Sequence, residues 1–114
     1  MPDATSTVWE LRDLVARFLQ EREWERYHNP KDLAIAMAVE AGELLELFQW
    51  KTVEEIDLND AAFREALEDE IADVFIYTLH LTNAIGGDLS DIASRKIAKN
   101  AEKYPVDRYR GKAR

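Results

Sequence analysis

Glu40 and Glu43 stand three residues apart in the stretch "VEAGELLELFQW" (39–50), and Glu70 and Asp73 repeat that spacing in "EDEIAD" (68–73). Residues three apart on a helix point to neighbouring directions on one face, so each pair aims two carboxylates the same way. If the two helices pack antiparallel, as a short connection between them dictates, the pairs face each other and four carboxylates converge. Two like charges about 5 Å apart repel by roughly 3 kcal/mol at an effective dielectric near 20. Several such pairs exceed the few kcal/mol of net stability left to a small domain. A hard divalent cation, Mg²⁺ or Mn²⁺, turns the repulsion into coordination, because both ions prefer oxygen ligands.

Spacing alone leaves two accounts of these carboxylates equally open. Glutamates at i, i+3 also mark solvated helix faces, and this chain carries 23 acidic residues. Against that stand the apolar residues interleaved with both pairs, Ala41 and Leu44 in one, Ile71, Ala72 and Val74 in the other. Gly42 is a further cost, about 1 kcal/mol relative to alanine inside a helix, tolerable where another helix or a ligand comes close. Glu46, Glu65 and Glu68 read as solvated or supporting groups, and Asp69 as surface.

The elements that must position these groups are all helical. Val8, Leu11, Leu14, Val15, Phe18 and Leu19 recur with helical spacing after a Thr7/Glu10 capping box, which predicts a first helix to about residue 25. Asn29 as cap and Pro30 at the first position predict a second, running to Phe48 or Trp50. Asp57 or Asn59 caps a third, which Gly86-Gly87 stops, and Asp88 caps a fourth, which Pro105 closes. No stretch alternates as a strand does, so the expected fold is all-α, a four-helix bundle completed by oligomerisation. The second half of the third helix is apolar nearly all round (Ile71, Val74, Phe75, Ile76, Tyr77, Leu79, Leu81), which predicts cover from a partner subunit.

At 114 residues the chain fits one domain, with a core over about 7–105 and a basic tail over 106–114 expected to be flexible. It has no cysteine, which excludes thiol catalysis and cysteine-ligated metal. No apolar run approaches a membrane span and the N-terminus lacks a signal-peptide core, so the expected location is the cytoplasm. Residues 1–94 hold 21 acidic and 7 basic side chains, whereas 95–114 hold 8 basic and 2 acidic. So acidic a body repels a nucleic-acid polymer. The basic end is either solvated or a phosphate clamp over an acidic, metal-loaded site.

"VEAGELLELFQWK" and "EDEIADVFIY", with "REWERYHNP" before the second helix and "KIAKNAEKYP" in the fourth, resemble the motifs of MazG-like nucleoside triphosphate pyrophosphohydrolases. The pieces are most similar to the branch of small dCTP pyrophosphatases. The resemblance implies that Glu40, Glu43, Glu70 and Asp73 bind Mg²⁺, with Mn²⁺ able to substitute. It implies a base pocket using Trp24, His28 and Trp50, with Lys51 adjacent. Lys96, Asn100 and Tyr104 would contact phosphates or sugar, including those of a ligand held mainly by a neighbouring subunit. The implied reaction is hydrolysis of a deoxynucleoside triphosphate, dCTP or a modified dCTP, to the monophosphate and pyrophosphate. The implied assembly is a homodimer, commonly paired into a tetramer.

A carboxylate not fully engaged by metal can accept the proton of the attacking water, and Glu43, with Glu40 beside it, is the choice for that role. Each aromatic or basic candidate also has a bland reading: Trp24 and Trp50 as packing, His28 as a cap, Lys96 as solvated, and His80 as packing or surface. Three other functions compete. A dUTP-hydrolysing or broad-specificity house-cleaning enzyme would carry similar carboxylates. A ferritin-like di-iron bundle needs Glu-x-x-His on two helices, and only Glu25-x-x-His28 is present. A non-catalytic acidic adaptor explains the charge but not the paired motifs.

Overall fold

Thr7 starts the first helix by accepting the Glu10 N–H at 3.0 Å. The computed structural model describes residues 1–112. Its α-helices are α1 (Val8–Glu21), α2 (Pro30–Glu46), α3 (Ala61–Ala84), α4 (Leu89–Lys103) and α5 (Val106–Tyr109). Short 3-10 turns lie at Asp3–Thr5, Glu25–Tyr27 and Val53–Glu55, and no strand occurs among the described residues.

The boundaries follow from local hydrogen bonds, and three differ from expectation. α1 stops at Glu21 rather than near residue 25, because Glu23 turns into the left-handed region (φ 54°). Its N–H and that of Trp24 then return to the carbonyls of Gln20 and Leu19, at 3.1 and 3.0 Å. Such an end at a non-glycine residue leaves no mark in the sequence. α2 starts as expected, with Asn29 Oδ1 accepting the Asp32 N–H at 2.9 Å and Pro30 at the first position. It ends at Glu46 instead of Phe48 or Trp50, since Leu47 and Phe48 bond three residues back in tightened turns.

The cap of α3 is Asp60, not Asp57 or Asn59: its Oδ1 accepts the N–H groups of Ala62 and Phe63 at 3.1 and 3.3 Å. Asp57 instead accepts the Asn59 N–H at 2.9 Å within the preceding loop. Asp88 caps α4 through the Asp91 N–H at 3.0 Å, and Pro105 follows its end. Part of the expected tail, Val106–Tyr109, is the short α5, with Tyr109 edge-on to Tyr104 at 5.1 Å. Residues 113–114 of that tail lie outside the described residues.

α2 and α3 run antiparallel along their lengths. Phe48 meets Phe63 at 5.6 Å near one end, His28 just before α2 meets His80 at 4.9 Å near the other, and Glu40 and Glu70 lie between. α1 packs on α3, and Leu19, Leu33 and Leu79 form the core where the three helices meet. Arg12 and Asn83 fasten α1 to α3: Arg12 Nε donates to Asn83 Oδ1 at 2.8 Å, and Asn83 Nδ2 donates to the Arg12 carbonyl at 3.2 Å.

α4 departs from the expected bundle. It does not pack along α1, α2 or α3, and from Ala93 to Lys103 its residues are exposed. The radius of gyration is 17.3 Å, where a compact domain of 100 residues has about 13 Å. One chain therefore forms a three-helix core with a projecting fourth helix. Within one chain Ile97 of α4 is left 68% exposed. The apolar half of α3 is likewise only partly covered, with Ile71 and Phe75 open, and Ile35 and Val39 of α2 are open as well. No helix among the described residues is long and apolar enough to cross a membrane.

Candidate functional site

The antiparallel register of α2 and α3 brings Glu40, Glu43 and Glu70 together: one carboxylate oxygen from each lies within 4.8 Å of the others. Glu40 and Glu70 are half-buried, and Glu43 faces solvent. The Oε2 atoms of Glu40 and Glu70 are buried, and no hydrogen-bond donor reaches either of them among the described residues. Burial pushes the Glu40 carboxyl up to about 7, helped by its contact with Glu43 and by the charges of Glu43, Asp73 and Glu70. Glu70 is raised as well, by burial first and then by the charges of Glu43 and Asp73. Asp73 is thus a near neighbour whose charge both glutamates feel, although its oxygens lie outside the tight group of three. An ion pair to any of these four carboxylates is absent among the described residues.

Oxygen-only ligands of this number and charge suit a hard divalent cation. Unsatisfied buried acceptors are costly, and a cation would relieve both the missing donors and the mutual repulsion. The donor set therefore fits a metal ion. Gly42 has open space on its Cβ side, so no part of the same chain makes the close approach that its presence suggested.

The other residues singled out in the sequence are dispersed. His28 sits edge-on to His80 at the end of a cavity between α1 and α3. Trp24 packs edge-on against Phe18 at 6.0 Å and keeps 45% of its surface exposed. Trp50 is 87% exposed, at the far end of α2 from His28, so the two tryptophans do not enclose a common space within one chain. The Lys51 ammonium lies 5.2 Å from the centre of the Phe63 ring. Lys96, Asn100 and Tyr104 are exposed on or just after α4.

One residue that the sequence reading set aside belongs with His28. His80 is buried, its Nδ1 and that of His28 lack hydrogen-bond partners, and it follows Asp73 by seven residues. Two helical turns return a side chain to almost the same face, and that spacing was the available signal.

Residues 35–113 match the family described as MazG-like. The chain is 40% identical over 109 residues to dCTP pyrophosphatase 1 of Bos taurus, covering 94% of this chain and 64% of that protein. It is 39% identical over 110 residues to dCTP pyrophosphatase 1 of Homo sapiens, covering 95% of this chain and 65% of the relative. The chain thus spans just under two thirds of the length of these relatives. Among solved structures it is similar to a pyrophosphatase from Archaeoglobus fulgidus, with a TM-score of 0.73 and 38% identity over 84% of this chain and 90% of the other.

Proposed function

This chain belongs to the MazG-like family, and on that footing we propose that it hydrolyses a deoxynucleoside triphosphate, dCTP or a base-modified relative, to the monophosphate and pyrophosphate. The observation that carries this reading is the group of three converging carboxylates, two of which bury an oxygen that no donor reaches. Glu40, Glu43, Glu70 and Asp73 would hold Mg²⁺, with Mn²⁺ as a substitute. Bound there, such an ion neutralises and orients the triphosphate and makes water a better nucleophile at neutral pH.

The remaining work falls to the chain's own side chains. Glu43, the exposed member of the group, is placed to take the proton of the attacking water. Glu40 and Glu70, set deeper, are the firmer anchors. With the Glu40 carboxyl pushed up to about 7 by burial, a cation held there would displace its proton. Metal affinity would then rise with pH through neutrality.

His28 and its cavity would take the base, while Trp24 and Trp50 would stack on it in an assembled site. Neither their separation within one chain nor the projecting α4 suits a self-contained monomer. We therefore place Lys96, Asn100 and Tyr104 against a nucleotide held mainly by a second copy, in a homodimer or a tetramer of two such dimers. The open apolar stripe of Ile35, Val39, Ile71 and Phe75 supports that assembly.

A screen of canonical and base-modified triphosphates with Mg²⁺ or Mn²⁺, reading pyrophosphate, tests the reading. Preferential release from dCTP or a modified dCTP is expected. Preference for dUTP or a flat profile would replace the substrate assignment, and no release from any triphosphate would end the hydrolase reading.

A further inference from the structure

The cavity between α1 and α3 measures about 240 Å³, below the about 300–1,000 Å³ of pockets that hold drug-sized ligands, and so fits a single ring. Leu19 and Ala84 supply apolar wall, and His28, His80, Glu25 and Asn83 supply polar edge. Not all of those polar groups are free. Asn83 is committed to Arg12 through both its amide oxygen and its amide nitrogen. His28 and His80 stand edge-on, ring centres 4.9 Å apart, and each keeps a buried Nδ1 with no partner. His80 is only 7% exposed, so water does not readily satisfy it from outside. Burial, and then the neighbouring His28, lower its pKa. A neutral imidazole presents one N–H and one lone pair. Glu25 lines the cavity from its exposed rim; its carboxylate forms no ion pair among the described residues, and it can only accept.

Position ties this cavity to the carboxylates. His80 follows Asp73 by two helical turns on nearly the same face, which sets them about 10 Å apart along α3. That is a span one nucleotide can bridge, phosphates at one end and base at the other.

We propose that Glu25 determines specificity and His80 affinity where, beside His28, they contact the polar edge of a single-ring base carrying an exocyclic amino group. Glu25 accepts from the amino group, and an imidazole N–H donates to the adjacent ring nitrogen. A base with a carbonyl in place of the amino group would set an oxygen lone pair against the carboxylate, leaving both unpaired. His80 contributes affinity for the ring, because an imidazole can turn either tautomer inward. Glu25, which cannot donate, supplies the discrimination. The inference rests on the nucleotide reading above and adds one group that holds the base and one that selects it.

The test compares dCTP and dUTP hydrolysis by the wild type, Glu25→Gln and His80→Phe, together with binding of deoxycytidine and deoxyuridine to metal-free protein, followed by the NMR signals of the His80 ring. Glu25→Gln is expected to lower the dCTP preference in kcat/KM by about tenfold, because an amide can also donate to the carbonyl of dUTP. His80→Phe keeps the ring shape and is expected to raise KM for dCTP about tenfold, with kcat within about threefold of wild type. An unchanged preference in Glu25→Gln overturns the inference, as does a folded His80→Phe protein with wild-type KM. Wild-type protein that releases pyrophosphate while deoxycytidine leaves the His80 signals unmoved overturns this inference alone. Protein that binds deoxycytidine at His80 yet cleaves no triphosphate sinks the hydrolase reading and leaves base recognition standing.

Discussion

Replacing Glu40 with glutamine should make the metal-free protein more stable while removing most of its response to Mg²⁺. Glutamine resembles the protonated carboxyl, so the substitution fixes Glu40 in the form that the cluster prefers. In the folded protein Glu40 is raised from its ordinary 4.5 to about 7 by burial, by its contact with Glu43, and by the charges of Glu43, Asp73 and Glu70. The folded state therefore holds more protons than the unfolded chain between those two values. Metal-free stability falls as pH rises through that window and levels off above it. The corresponding ceiling is about 3 kcal/mol at alkaline pH, and solvent screening on the open side of the cluster reduces it to about 1–2 kcal/mol.

For a chain of this size that is a rise in Tm of about 5 °C for Glu40→Gln at pH 8 in chelator and low salt. The assay is thermal unfolding by circular dichroism from pH 4.5 to 8.5, at fixed protein concentration because assembly would also shift Tm. Wild type should lose stability across that range, and Glu40→Gln should lose less. With Mg²⁺ at about a hundred times its Kd, wild type should gain about 2.7 kcal/mol by linkage, and the variant much less. A variant no more stable than wild type without metal, or one with an undiminished metal response, would refute the argument that Glu40 is held in a repulsive cluster that a cation relieves.

Glu43→Gln should cut pyrophosphate release by at least about a hundredfold in a steady-state assay with Mg²⁺, since it removes the exposed carboxylate assigned to proton transfer. Leu79→Ala should cost about 2–5 kcal/mol in urea unfolding, because Leu79 is 1% exposed at the junction of three helices. Ile71→Asp should yield a smaller particle than wild type in sedimentation velocity, because it places a charge in the apolar stripe assigned to the partner. An unchanged sedimentation profile would move the interface elsewhere.

Helix positions were legible because their signals are local. Thr7, Asn29 and Asp88 cap where their side chains reach the backbone N–H three residues on, and the sequence alone specifies that reach. The carboxylate pairs were legible for a similar reason: i, i+3 spacing guarantees a shared face, although the connection from α2 to α3, residues 47–60, left their antiparallel packing to the tertiary structure. Where several candidates adjoin, as at Asp57, Asn59 and Asp60, composition offers no way to choose, because all three can cap and only the path of the loop decides.

The depth of each carboxylate was a tertiary decision. Sequence treats Glu40, Glu43, Glu70 and Asp73 alike, but packing buries oxygens of Glu40 and Glu70, which raises both carboxyls, and leaves Glu43 in solvent. His80 is buried, in keeping with its reading as packing, but its neighbour was not legible. Its partner His28 lies 52 positions away, brought close only because α2 and α3 fold back on each other. The departure of α4 from the bundle was equally invisible, since helical periodicity says that a face is apolar and never what covers it. Local geometry is written in neighbouring residues; which distant groups share a dry pocket depends on how whole helices meet.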